Sequence, residues 1–311
     1  MIRLVKNIAL FVFGVLLLYP VAVFVGYELL PNRLTPNVQP FTNTGGHLHR
    51  RLQEAELSSK RDILFLGSSH CYRGFDTRIF DKAGYSSFNL GSSSQTPQVT
   101  EVLLHRYLDR ISPKLVVYEV YPVSFGIDGV ESSLNLISSS PTDKDALKLA
   151  INTRNIKVLN TLIYMSIKQF VGDFTYVNSD RIADDTYISG GFVKRDLAHF
   201  SPPDSMPSIS WKFRAENMNA FESNLEFIKS RDIPILFVFA PIAQIEYNAH
   251  NNNDEADSLF ATYGNYINFN EICDLNDSIH FFDAHHLNQL GVESFNQALI
   301  RHRMFQKMAT Q

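Results

Sequence analysis

Cysteine is scarce. Cys71 and Cys273 are the only two in 311 residues, which excludes a disulfide-stapled fold and leaves open whether the two pair. Two small buried thiols suit them as well as a bond does. Positive charge is not in excess either: 28 Lys and Arg stand against 32 Asp and Glu, for a formal net charge of −4. No basic footprint for nucleic acid follows from that balance. His47 and His49, in the segment GGHLH, have no third ligand nearby, so no metal site is expected, and nothing in the chain calls for a cofactor. The run Asn251 to Glu255 reads as a solvated loop. After about residue 30 there is no apolar run long enough to cross a bilayer.

One such run stands before it. Ile8 to Val25 is apolar apart from Tyr19, with Gly14 and Pro20 inside. With its flanks it reaches about 22 residues, enough to span as a helix. No small-x-small cleavage site follows. Arg3 and Lys6 precede it, Glu28 follows, and the next positive charge is Arg33. That bias predicts an uncleaved single-pass anchor in the cytoplasmic (inner) membrane, N-terminus inside and the remaining chain on the periplasmic or extracellular side. The expected organisation is a cytoplasmic tip and transmembrane anchor over 1–30, a membrane-proximal linker over 31–60 and one large domain over 61–311. Pro31, Pro36, Pro40, Gly45 and Gly46 break the linker, and its charged end is long enough for a short helix. With 45% hydrophobic and 12% aromatic residues, the chain has enough apolar side chains for a sizeable core.

Across 61–311 short apolar strands alternate with amphipathic helices. Strands are expected at Ile63–Leu66, Ser87–Leu90, Leu115–Val120, Ile235–Ala240 and Ile279–Phe282. Helices are expected after Asp76, from Pro97 to Ile111, through Met218, Phe221, Leu225 and Ile228, and from Gly291 to about Lys307. This alternation predicts an α/β fold of three layers, α/β/α, around a flavodoxin-like parallel sheet of five strands. Such sheets bind ligands at the carboxyl ends of their strands, so the residues just after each strand carry the most weight. Residues 123–214 interrupt the alternation as an insertion at that edge, the usual place for a lid or binding surface, and 243–270 form a smaller one.

Two of the strand ends hold complementary chemistry. ILFLGSSH, Ile63 to His70, ends a strand at glycine and delivers serine to a helix start. Backbone N–H groups at such a turn can hold an oxyanion. A serine hydroxyl needs a base, and the base needs an acid to fix its tautomer. FDAHHLNQLG supplies both, with Asp283 ending a strand and His286 three residues on. Ser69, His286 and Asp283 are the expected nucleophile, base and acid; Ser68 and His285 are the neighbouring alternatives for the first two. Glu119, on a strand expected to be buried, needs a partner.

These segments resemble the SGNH hydrolase superfamily, also called the GDSL-like hydrolases. The resemblance rests on Gly-x-Ser at 67–69, Asn-Leu-Gly at 89–91 and Asp-x-x-His-Leu-Asn-x-x-Gly at 283–291, and it covers about residues 61–307. It looks most like the membrane-anchored branch, which includes D-alanyl transfer and exopolysaccharide O-acetylation proteins. The resemblance implies a serine esterase or O-acyltransferase acting on acyl esters of a cell-envelope glycan, with no cofactor, and a multi-span membrane acyltransferase as a possible partner. It gives Ser69, Asp283 and His286 as the triad, the N–H groups of Ser69 and Gly91 as oxyanion donors, and Asn89 and His70 to the pocket. Two departures stand out. The acidic residue usual before the nucleophile is Ser68 here, and the Gly-x-Asn-Asp block after the third strand is replaced by EVYPVSF, Glu119 to Phe125. The alternative this raises is a catalytically weak or inactive module that binds a glycan or a membrane partner.

Overall fold

The computed structural model describes residues 1–40, 46–176 and 179–310. Two units divide them: a smaller one of 1–40 and 133–176, and a larger one of 46–132 and 179–310.

The larger unit holds eight strands: β1 Ile63–Leu66, β2 Ser87–Asn89, β3 Leu115–Glu119, β4 Arg181–Ile182, β5 Asp185–Ile188, β6 Phe192–Arg195, β7 Ile235–Phe239 and β8 Asn265–Asn268. Five form one sheet in the order β2-β1-β3-β7-β8, with every neighbouring pair parallel. Numbered among themselves the order is 2-1-3-4-5, the flavodoxin-like arrangement, and the fold class is the one the alternation predicted. β1, β3 and β7 are buried at every position, which is why they read as unbroken apolar runs.

Successive side chains of these strands face opposite layers. Phe65, Val117 and Val238 pack into a core with Phe75, Phe80, Phe295 and Leu299, under the helix Gln289–Arg301. Tyr118 and Phe237 turn the other way and meet Phe221 at ring separations of 5.2 and 5.7 Å, under the helix Ala215–Lys229. Helices on both faces leave the carboxyl edge of the sheet as the open side.

Three expectations change. The fifth strand is β8, not 279–282. Asn265-Tyr266-Ile267-Asn268 is polar at both ends and buried only over its second half, so a search for apolar runs passes over it. Asp277–His280 is instead a short helix capped by Asn276, and Phe281 makes only a bridge to Leu287. The smaller insertion, 243–270, therefore contains a strand of the sheet itself. The last helix also breaks in two at His302, whose side chain caps Arg303–Ala309.

Within the stretch read as a linker, Leu48–Leu57 forms a helix that buries Leu48, Arg51, Leu52 and Ala55. It packs in the larger unit beside the antiparallel β4-β5-β6 sheet: the Glu54 carboxylate accepts from Tyr187, Ser189 and the Gly190 N–H. Arg73 makes a bidentate pair with Asp185 at 2.8 and 2.7 Å, and Arg195 adds a third bond at 2.9 Å. The expected insertion 123–214 is thus divided, with its three strands in the larger unit and residues 133–176 in the smaller.

The smaller unit is built on the 28-residue helix Ile2–Leu29, within which an 18-residue stretch reaches a mean hydropathy of 2.7. At 1.5 Å per residue it is about 42 Å long, more than a bilayer's hydrocarbon needs. Its second half packs on the helix Ile156–Phe170. Tyr19 donates to Asn160 at 2.6 Å, Tyr164 donates to Glu28 at 2.8 Å, and Lys168 pairs with Glu28 at 3.3 Å.

Candidate active site

β1 ends at Gly67, which sits at φ +146°. A side chain there would meet Glu119: a Cβ would lie 2.5 Å from its Oε2. Glycine is therefore required for close approach as well as for the turn. Ser68 then caps the helix Ser69–Gly74 through its own side chain, which accepts from the His70 N–H, and Ser69 stands at the first helical position, at the carboxyl edge.

The second segment is shaped by Asp283. Its Oδ1 accepts from the N–H groups of His285 and His286, both at 2.8 Å, and this turn brings the His286 ring back onto the carboxylate. Nδ1 of His286 lies 2.9 Å from Oδ1 and 3.0 Å from Oδ2 of Asp283. Its Nε2 lies 2.8 Å from the Ser69 Oγ. With Nδ1–H donating to Asp283, Nε2 is left bare to accept the Ser69 proton. Burial works to raise the Asp283 pKa, but the His286 hydrogen bond and charge and the two backbone N–H bonds outweigh it and hold the carboxyl well below its usual range. Asn288 fastens the loop: its Oδ1 caps the next helix at Leu290 and Gly291, and its Nδ2 donates to the carbonyls of Ala198, Ile279 and Phe281.

Hydroxyl, imidazole and carboxylate, in that order and at these distances, can activate serine as a nucleophile. Of the six residues expected at the site, Ser69, Asp283 and His286 are brought together. His70 is next to them: its buried ring lies parallel to that of His286, 13° between planes and 5.0 Å between centroids. Burial, then the neighbouring His286 and His285, push its pKa well below the ordinary value.

Gly91 and Asn89 are elsewhere in function. The Gly91 N–H is taken by the Asn89 Oδ1 at 2.9 Å, and Asn89 is fully buried, with its Nδ2 donating to the carbonyls of Cys71 and Phe75 at 2.8 and 3.3 Å. Gly91, expected as an oxyanion donor, and Asn89, expected in the pocket, instead hold the β2 turn against the nucleophile helix. The Ser69 N–H has no acceptor among the described residues. Cys71, buried, and Cys273 are free thiols.

A second cluster adjoins the first. Tyr121 lies against His70 with centroids 4.0 Å apart, and its hydroxyl is 3.1 Å from Nδ1 of His285. The buried Glu246 faces His285 at 3.9 Å and His250 at 3.2 Å. His250 stacks on Trp211, 8° between planes. Tyr121 was legible as a strand-end residue. Glu246 and His250 were not, since they fall in a stretch that read as an insertion. Among the described residues no group of three or more His, Cys, Asp and Glu is arranged to hold a metal ion.

No family model and no curated protein matches the sequence. Among solved structures the chain is similar to a GDSL-like lipase from Bacteroides thetaiotaomicron VPI-5482, at 11% identity and a TM-score of 0.41, over 85% of this chain and 98% of that one. It is similar likewise to a protein described as an acylhydrolase from Bacteroides fragilis NCTC 9343, at 12% identity and a TM-score of 0.41, over 85% and 98%. Identity and superposition are both low, so the chemistry of this chain stands on its own side chains.

Proposed function

We propose that the protein is a membrane-anchored serine esterase or O-acyltransferase acting on acyl esters of a cell-envelope glycan. The observation that carries this reading is the Ser69–His286 contact of 2.8 Å, with Asp283 behind it. Ser69 Oγ attacks the acyl carbonyl as its proton passes to Nε2 of His286. The tetrahedral oxyanion faces the Ser69 N–H. Collapse leaves an ester on Ser69 and returns the proton from His286 to the departing alkoxide. Water, or a glycan hydroxyl, then repeats the cycle, losing its proton to His286 and releasing Ser69. Water gives hydrolysis; the glycan hydroxyl gives transfer.

An N-terminal helix long and apolar enough to cross a bilayer supports an envelope substrate. The chain between Leu29 and Leu48 can span at most about 68 Å, so an anchored domain meets exported acyl groups near the bilayer. Restriction to that surface raises its effective concentration toward a membrane-bound acyl donor, such as a multi-span acyltransferase. Replacing Ser69 with Ala on the chromosome is expected to change the ester-linked acyl groups on isolated envelope glycans, measured by mass spectrometry. An unchanged profile on every glycan, with the protein expressed, defeats the substrate assignment. For the topology, alkaline phosphatase fused after residue 60 should be active; an inactive fusion beside an active cytoplasmic reporter at the same point rules it out.

A second reading, a weak or inactive binding module, is favoured by one observation: the Gly91 N–H is already engaged. Loss of one oxyanion donor costs about a hundred- to a thousandfold in rate. Such a module leaves Ser69 unreactive to a fluorophosphonate and still retains its glycan or membrane partner.

A further inference from the structure

Glu119, at the end of β3, is buried, and every hydrogen bond of its carboxylate goes to the nucleophile turn or to Tyr121 two residues on. Oε2 accepts from the Ser68 N–H and the Ser68 O–H, both at 2.9 Å, and Oε1 accepts from the Tyr121 N–H at 2.7 Å. Among the described residues no cation pairs with it. A buried carboxylate without a countercharge is costly, so a role in which a neutral side chain would serve equally well is a poor account of it. Three donors converge on its two oxygens, and only a carboxylate accepts at both; an amide would turn its own NH2 against an N–H.

The chain of contacts runs on from Ser68. With its proton directed at Glu119, the Ser68 Oγ offers lone pairs to the His70 N–H at 3.3 Å and to Nδ1 of His70 at 3.1 Å. Nδ1 must then carry the hydrogen. The His70 ring, held this way, is the flat surface against which His286 lies.

We infer that Glu119 is a positioning residue: it supplies from β3 the carboxylate that position 68 lacks, and through Ser68 and His70 it sets the geometry of Ser69 and His286. This rests on the reading of Ser69 as the nucleophile. The hub accounts for three features at once. Serine before the nucleophile becomes a relay, the EVYP segment gains a task, and Gly67 is needed because Glu119 occupies the space of a side chain.

The test uses the full chain in detergent micelles at a pH above 8, with Glu119→Ala, Glu119→Gln and the double change Glu119→Gln/Ser68→Asp. Two properties are followed: the rate at which a fluorophosphonate labels Ser69, and the tautomer of His70 from long-range proton–nitrogen correlations in histidine-labelled protein. Glu119→Ala should slow labelling about a hundredfold, the scale of a 1 Å misplacement. It should also move His70 from the Nδ1–H to the Nε2–H form, because the freed Ser68 hydroxyl now donates to Nδ1. The double variant, which returns a carboxylate to position 68, should label about tenfold faster than Glu119→Gln, or better. Labelling of Glu119→Ala within about twofold of wild type, or an unchanged His70 tautomer, overturns the inference. If Glu119→Ala does not fold, the labelling rates of Glu119→Gln and the double variant decide it. A wild type that never labels at Ser69 sinks the nucleophile reading instead, and the tautomer still judges Glu119.

Discussion

Ser69→Ala is expected to abolish fluorophosphonate labelling and to lower the hydrolysis of a small aryl acetate by a factor on the order of 10^4 to 10^6. His286→Ala should do the same, because among the described residues the Ser69 Oγ has no other base within 2.8 Å. The double substitution should be no worse than either single one, since the two residues act as a unit. Asp283→Asn should cost about 10^4 in kcat with little change in KM: an amide in its place favours the wrong imidazole tautomer at Nδ1. Ser68→Ala should slow labelling without moving it, because Ser68 Oγ contacts Glu119 and His70 rather than His286. Mass spectrometry of the labelled peptide is the check. Label on Ser68, or on any serine outside 68–69, refutes the assignment of the nucleophile.

Glu119→Gln is expected to lose less stability than the wild type as pH rises into mild alkali, while being a poorer catalyst. Burial raises the Glu119 carboxyl from 4.5 to about 7, against the opposing hydrogen bonds from Ser68 and Tyr121. A folded-state value above the unfolded one means that the native protein holds a proton the unfolded chain has released. Stability from this group is therefore full below about pH 4.5 and is lost as pH rises through 7. The interval corresponds to about 3 kcal/mol, or roughly 6–12 °C in melting midpoint for a domain of this size. The titratable groups acting on or facing Glu119 are Cys71, Tyr118 and Tyr121, all pushed upward by burial and so neutral throughout that window. His47, His70 and His250 have lowered values and slope the other way, but they are common to both proteins and cancel in the comparison. Melting curves of wild type and Glu119→Gln at pH 5 and pH 8 should diverge at the higher pH, with the wild type falling further. Parallel pH dependences would show that the carboxyl titrates normally. The ionised form that the Ser68 hub needs is thus the form that burdens the fold, a trade of stability for geometry.

Much of this was legible in the chain. β1, β3 and β7 announce themselves because burial on both faces leaves no polar position to blur them. Ser69 was legible because it follows β1 at the carboxyl edge of a parallel sheet, and Asp283 and His286 because a spacing of three residues lets one turn bring acid and base together. β8 was lost because an edge strand needs only half its residues buried and Asn-Tyr-Ile-Asn meets that without an apolar run. Gly91 was assigned to an oxyanion and Asn89 to the pocket by likeness of motif, and a motif does not reveal that one residue's N–H is spent on the other's side chain. The Glu119 hub was half legible: a carboxylate on a buried strand demands a partner, but only coordinates could show that the partner is the turn next to the nucleophile.

The chain has a single tryptophan, and its place gives it a use. Trp211 is buried, donates its indole N–H to Asn253 at 2.7 Å, lies flat on His250 and meets Tyr121 edge-on at 5.8 Å. Its emission therefore comes from one known location on the flank of the Ser69 edge, with no other indole to dilute it. A proton arriving on His250 is expected to quench it, and a ligand that shifts Tyr121 is expected to change its colour. Without any introduced label, the protein carries its own optical gauge of that flank.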